Sequence, residues 1–287
     1  MPRSSIDTVA DQLFFTTVHI QTTTESGHTS GTGFLITYQQ PDGAVIVLVT
    51  NKHVLVGALE VTFTLVAGDG DRPLMQGTQT TVPGFHAGLW IGHPNESVDV
   101  AVMNFSPILQ DMYDRGSPAF TRAFETSQLI TQSEAEELDS IEAITFVGYP
   151  SGIYDTASFQ PIARRGNTAT PIFNDYRGEP AFLIDASVYP GSSGSPVVLF
   201  DNGMYVTRNG SATVGVRLKL LGVVAAVHTR IVAGEVIMTS HGTSVFSDPI
   251  NLGIVYKSSA IQECVRLLFA AAGRRVEGVE PHPSDLA

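Results

Sequence analysis

Apolar residues along this chain come in short runs, rich in β-branched side chains. Each run ends at a cluster of Gly, Pro, Asp, Asn or Ser, the pattern of strands separated by turns. Residues 1–11 are polar and read as a frayed start, and residues 13–24 read as the first strand. Gly31-Thr32-Gly33-Phe34-Leu35-Ile36 follows, then the turn signal Pro41-Asp42-Gly43. Ala44-Val45-Ile46-Val47-Leu48-Val49-Thr50 predicts a buried strand that ends at Asn51-Lys52-His53. Further strands are expected at 60–66, 74–82, 98–105 and 141–148. Others are expected near 159–172, 181–188, 196–200, 204–207, 212–218 and 220–228, with Asp201-Asn202-Gly203 as a hairpin turn.

Two stretches depart from this pattern. Ser133-Glu134-Ala135-Glu136 fits a capping box and predicts a short helix inside a connecting segment. Ser259-Ala260-Ile261-Gln262 fits a second, opening a helix to about residue 272 with Ile261, Val265, Leu268 and Phe269 on one face. Cys264 on that helix reads as packing. Residues 274–287 read as a loose tail.

Composition narrows the function classes. At 287 residues with 43% hydrophobic and 15% charged, the chain can bury one large all-β domain or two small ones. A net charge of −12 and the lack of any basic block argue against nucleic acid or an anionic membrane as partner. A single cysteine forms no internal disulfide, and no apolar run approaches a membrane span. The expectation is a soluble cytoplasmic protein. Histidines 19, 28, 86, 93, 228, 241 and 282 show no metal-ligand spacing, so no metal or other cofactor is expected.

Candidate chemistry comes from three places taken together. Tyr189-Pro190-Gly191-Ser192-Ser193-Gly194-Ser195-Pro196 is a Gly/Ser/Pro turn between two apolar runs. It can hold the Ser193 hydroxyl rigidly and converge the Gly191 and Ser193 N–H groups on one point, as an oxyanion hole requires. Thr50-Asn51-Lys52-His53 presents a histidine at the end of a buried strand. Asp99 stands in the apolar run Val98-Asp99-Val100-Ala101-Val102, where a carboxylate needs a partner. Singly, His53 is as well read as a satisfied strand-end histidine and Asp99 as a turn cap. Jointly they stand in the order His, Asp, Ser with separations of 46 and 94 residues, a triad order in which base, orienting acid and nucleophile are each supplied. An α/β-hydrolase elbow is a poorer match, because position 195 is Ser and a strand-like run follows instead of a helix.

With these motifs the chain resembles the chymotrypsin/trypsin-like serine peptidases, especially disulfide-free bacterial members of the glutamyl endopeptidase and Deg types. The resemblance rests on Gly31-Thr32-Gly33-Phe34, Thr50-Asn51-Lys52-His53, Asp99-Val100-Ala101-Val102, Gly148-Tyr149-Pro150 and Gly191-Ser192-Ser193-Gly194-Ser195-Pro196, spread over residues 12–256. It implies an all-β fold of two six-stranded antiparallel Greek-key barrels with a C-terminal helix. The units would be an N-terminal barrel at 12–110 carrying His53 and Asp99, and a connection with a short helix at 111–140. A second barrel at 141–256 would carry Ser193, followed by the helix at 257–273 and the tail at 274–287. It implies His53 as general base, Asp99 as its orienting partner, Ser193 as nucleophile, and the Gly191 and Ser193 N–H groups as oxyanion hole. The expected activity is serine endopeptidase on a protein or peptide substrate. A catalytically silent peptide-binding scaffold and a small-ester hydrolase are the alternatives. Oligomeric state is not specified.

Departures from the family shape the specificity reading. Ser192 stands where trypsin-type zymogens carry an Asp that pairs with a newly cut N-terminus, so that activation route is not expected. Ser187 stands where trypsin has its specificity Asp. Val223, Val224, Ala225, Val227 and His228 are the expected pocket wall, mostly small and apolar, which favours a small or medium apolar P1 residue.

Overall fold

The computed structural model describes residues 6–236 and 242–275, and for 226–250 the backbone alone. The polar start at 1–5 and the tail at 276–287 lie outside the described residues, as do His241 and His282.

Of the stretch expected to fray, the described residues lead into a short helix, α1 (Val9–Leu13). Thr8 caps it and Asp11 completes a reciprocal capping box, which satisfies N–H groups that would otherwise lack partners. The first strand therefore starts later than its apolar pattern suggests, as β1 (Thr17–Thr24). Next come β2 (Gly27–Gln40), β3 (Gly43–Thr50), the one-turn helix α2 (Lys52–Leu55), β4 (Glu60–Asp69), β5 (Arg72–Pro83), β6 (Ile91–Gly92) and β7 (Ala101–Asn104). α3 (Ser106–Asp114) and β8 (Phe124–Glu125) complete the first unit. Its sheet runs β5-β4-β1-β2-β3-β7-β6, and β8 adds to β2 in parallel. Six substantial strands are thus extended by two of two residues each.

The connecting segment holds α4 (Gln132–Glu136). Its cap is Thr131, paired with Glu134, rather than Ser133. Both stretches fit the same S/T-x-x-E pattern, and the cap falls two residues earlier than expected. The second unit contains β9 (Ala143–Gly148), β10 (Ile162–Thr168), β11 (Ala181–Asp185), β12 (Pro196–Val206), β13 (Ala212–Val236) and β14 (Gly242–Lys257). These six strands close into a barrel in the order β10-β11-β14-β13-β12-β9. The expected turn at Asp201-Asn202-Gly203 does not form. β12 runs through it, pairing Asp201 with Arg217 and Gly203 with Gly215, and the chain reverses only after Val206↔Ala212. The separate strands expected at 212–218 and 220–228 are one continuous strand.

α5 (Ser258–Ala271) closes the described chain. It starts from Lys257 with no side-chain cap, so the second predicted capping box is not used. Its buried face, Ala260, Ile261, Cys264, Val265 and Phe269, joins a core shared by both sheets, with Phe34, Val47, Val49 and Val102 from one and Val147, Val198, Leu220 and Val223 from the other. Among the described residues no helix is long and apolar enough to cross a membrane.

Candidate active site

The site is assembled where β3, the segment before β7, and the turn between β11 and β12 meet. β3 is buried through Val47, Leu48, Val49 and Thr50. The chain leaves it at Asn51 in extended conformation (φ −98°, ψ 152°) and enters α2. Val54 and Leu55 anchor that turn in the first core, which leaves the His53 side chain 51% exposed. Gly31 makes room for the anchor, since a Cβ there would lie 2.7 Å from Val54.

Asp99 lies just before β7, not within it, between the fully buried Val98 and Val100. Its two carboxylate oxygens both reach His53. Oδ1 accepts the His53 backbone N–H at 3.1 Å, and Oδ2 lies 2.5 Å from His53 Nδ1. The Asn51 side-chain amide donates to the Asp99 carbonyl at 2.6 Å. Tyr256 in β14 donates its hydroxyl to the Ser97 carbonyl at 2.5 Å, and Glu179 accepts from Ser97 Oγ at 2.7 Å and from Asn95 Nδ2 at 3.2 Å. The second unit therefore braces the loop that carries Asp99.

Ser193 lies in a turn whose glycines are dictated by contact. At Gly194 (φ +88°) a Cβ would fall 1.7 Å from the Thr32 carbonyl oxygen, and at Gly191 (φ +85°) one would fall 2.5 Å from the Tyr149 carbonyl oxygen. The turn is fastened to the first unit by the Thr32 N–H on the Ser193 carbonyl at 2.8 Å and the Thr32 hydroxyl on the Gly191 carbonyl at 2.8 Å. It is fastened to β13 by the Gly194 N–H on the Val224 carbonyl at 2.7 Å and the Val224 N–H on the Ser195 carbonyl at 2.9 Å. Thr50 donates to the Thr32 carbonyl at 2.7 Å, so Thr32 links the serine turn to the end of β3, from which the chain passes through Asn51 into α2 and His53. Ser193 Oγ itself donates to the Ala225 carbonyl at 3.2 Å. Among the described residues no hydrogen bond joins Ser193 to His53, and the Gly191 and Ser193 N–H groups donate to no backbone carbonyl.

The residues expected to wall the pocket lie in different surroundings. Val223 and Val224 are fully buried in two different hydrophobic clusters, one on each face of β13. Ala225 is buried, and its carbonyl accepts from Ser193 Oγ. Ser187 is half-buried in the turn after β11. The side chains of Val227 and His228 lie outside the described residues. Thr32, Thr50 and Asn51 form the scaffold that sequence reasoning missed as individual residues. The signal available was a threonine between two glycines, and a polar Asn inside an otherwise apolar strand end.

Nearby, His19 is buried in β1 and stacks on Tyr149. Burial pulls its pKa down to about 4. His93 is also lowered by burial, against the opposing pull of Glu263, which sits 3.2 Å from its Nε2. Among the described residues no group of three His, Cys, Asp or Glu side chains could hold a metal ion. A cavity of about 650 Å³ lies elsewhere, between α4 and the β12–β13 ribbon, and its Arg217 and Lys219 are paired with Glu142, Asp201 and Glu134.

A family model described as a trypsin-like peptidase domain matches residues 31–206. No curated protein matches the chain. Among solved structures, the HtrA-type protease AlgW with tripeptide is 15% identical, with a TM-score of 0.50 and 91% of this chain covered. The serine endoprotease from Yersinia pestis is 16% identical, with a TM-score of 0.46, covering 94% of this chain and 70% of that one. The chain spans 60% and 63% of the length of the two HtrA-type chains it matches. At such identities the likeness concerns fold.

Proposed function

The chain belongs to the trypsin-like peptidase family, whose model covers residues 31–206, and we propose that it is a serine endopeptidase using Ser193, His53 and Asp99. The observation that carries this reading is the His53–Asp99 pair, held by both carboxylate oxygens. A serine hydroxyl is a weak nucleophile until a base takes its proton. With Nδ1 committed to Asp99, His53 would present Nε2 to Ser193 as that base. Asp99 fixes the ring and stabilises the imidazolium as it forms. Ser193 Oγ would add to the peptide carbonyl, and the resulting oxyanion would be met by the Gly191 and Ser193 N–H groups, which are free to donate. Collapse releases the amine, protonated by His53, and leaves an acyl-Ser193 ester. Water, activated by the same base, then hydrolyses that ester. The site would lie between folding units at 12–110 and 141–256.

One observation favours a second reading, a catalytically silent peptide-binding scaffold. Ser193 Oγ donates to Ala225 rather than to His53. Catalytic hydrogen bonds often tighten only on substrate binding, so the enzyme reading is preferred. Labelling with a fluorophosphonate probe separates the two, since it requires an activated serine. Parent protein should label and should cleave peptides. Ser193→Ala and His53→Ala should each lose several orders of magnitude in kcat. A folded parent that neither labels nor cleaves would favour the scaffold, and turnover of esters without peptides would favour an esterase.

A further inference from the structure

We propose that the Thr32 hydroxyl is a positioning group for the oxyanion hole, acting through the carbonyl of Gly191. This rests on the reading of Ser193 as nucleophile. Four consecutive carbonyls in the serine turn each have a partner. Pro190 accepts the Ser151 N–H at 2.5 Å, Gly191 the Thr32 hydroxyl at 2.8 Å, Ser192 the Ser195 N–H at 3.0 Å, and Ser193 the Thr32 N–H at 2.8 Å. In a trans peptide the C=O and the following N–H point in opposite directions. Holding the Pro190 carbonyl therefore aims the Gly191 N–H, and holding the Ser192 carbonyl aims the Ser193 N–H. Thr32 holds the two peptides between and after them.

Three of these four restraints are backbone to backbone. The Gly191 restraint is the one made by a side chain, and it acts where the turn is softest. Gly191 sits at φ +85° with no Cβ to limit its torsions. Its N–H is aimed through the Pro190 carbonyl, and tying its own carbonyl fixes the peptide that follows, so that the Gly191 and Ser193 N–H groups keep one relative orientation. The hydroxyl is itself oriented, because the Tyr149 N–H donates to Thr32 Oγ1 at 3.1 Å and leaves the hydroxyl proton for Gly191. Thr32 is fully buried, so water does not readily replace it. Removing the hydroxyl leaves the buried Gly191 carbonyl and the Tyr149 N–H unpaired, and the Gly191–Ser192 peptide is then held only by the Ser192 N–H on the Tyr189 carbonyl at 2.9 Å. The loss falls on the transition state, where the oxyanion forms, and not on substrate binding.

The test compares parent, Thr32→Ser and Thr32→Val on a peptide the parent cleaves, with kcat and KM separated and folding checked by circular dichroism. Affinity for a peptide aldehyde, whose adduct places an oxyanion between the same N–H groups, is measured alongside. Thr32→Val is expected to lose about 10- to 100-fold in kcat and a similar factor in aldehyde affinity, with KM within about twofold. Thr32→Ser should stay near the parent in both. A parent-like Thr32→Val, a loss confined to KM, or a Thr32→Ser as impaired as Thr32→Val overturns the proposal. If Thr32→Val does not fold, Thr32→Ala is compared with Thr32→Ser, since the two differ only in the hydroxyl, and the same outcomes apply. If neither Val nor Ala variant folds, Thr32 is a folding determinant and the proposal fails. A folded parent inert to both peptide and fluorophosphonate would instead sink the enzyme reading, and this inference with it.

Discussion

His19 lies nearly parallel to Tyr149, with ring centroids 4.7 Å apart and an interplanar angle of 27°. The histidine is 4% exposed and its Nε2 has no hydrogen-bond partner. Nothing there compensates a positive charge, so burial lowers its pKa to about 4 from 6.5. The folded protein therefore binds fewer protons at this site than the unfolded chain does between those values. The stability that neutral His19 supports is complete above about pH 6.5, the unfolded value, and is lost as pH falls towards about 4. At pH 4.5 the loss should be roughly 2–3 kcal/mol. Tyr149 lies against the serine turn, so this acid sensitivity reaches the site. His19→Phe keeps a ring on Tyr149 and removes the proton site. Denaturant unfolding at pH 7 and 4.5 should show a smaller acid loss in the variant. Equal losses in both proteins would exclude His19 as the source.

Gly194 should be the least tolerant glycine of the serine turn. A Cβ there would lie 1.7 Å from the Thr32 carbonyl oxygen and 2.6 Å from Thr50 Oγ1, at a φ of +88°. Neither neighbour can yield without breaking the bonds that join the two units. Gly203 has φ +117° but open space around it. Gly203→Ala should therefore cost about 1 kcal/mol from backbone strain alone, and Gly194→Ala more than about 2 kcal/mol. Chemical denaturation of the two variants checks the order, and a Gly194→Ala no worse than Gly203→Ala would mean the turn can shift away from Thr32.

Much of this architecture was legible because its signals are local. The run 44–50 reads as a buried strand since its β-branched residues have only an interior to go to, and it is β3. The amphipathic face of α5 was read from its spacing, and Ile261, Val265 and Phe269 are buried. Local signals also misled. Asp201-Asn202-Gly203 has strong turn propensity, but continuous pairing of β12 with β13 overrides it, and the reversal falls near Gly210 at φ +83°. The trio proposed as catalytic, His53, Asp99 and Ser193, could be named from residue types in order. Its scaffold could not, because the bond from Thr32 to Gly191 spans 159 residues of sequence and has no local trace.

Cys264 should be chemically silent in the native protein. It is fully buried in the shared core, and its thiol lies 3.8 Å from the Val100 carbonyl. Burial, with a smaller contribution from Glu263, pushes its pKa up to about 12. Alkylation needs an exposed thiolate, and neither condition holds. Iodoacetamide at neutral pH should leave native protein unlabelled and fully active, and should modify one site after denaturation, as mass spectrometry would read. Rapid labelling with loss of activity would mean that α5 opens in solution.

The P1 prediction turns on where the carboxylates are. A pocket for Lys or Arg needs a buried acid, because an unpaired buried cation is costly. Ser187 stands half-buried after β11, and residues 187–191 contain no acid. Asp201, the nearest acid after the serine turn, is held by Arg217 at 2.6 Å on the β12–β13 ribbon and is not available. An apolar P1 side chain of Val or Leu size would gain about 1.5–3 kcal/mol by burial. Matched peptides with P1 Val, Leu, Lys, Arg and Glu should therefore show kcat/KM at least about tenfold higher for Val or Leu than for Lys or Arg. A tenfold preference for Lys or Arg would require an acid delivered from another segment, Glu235 being one. A preference for Glu would point to His228, and either result would displace the apolar pocket.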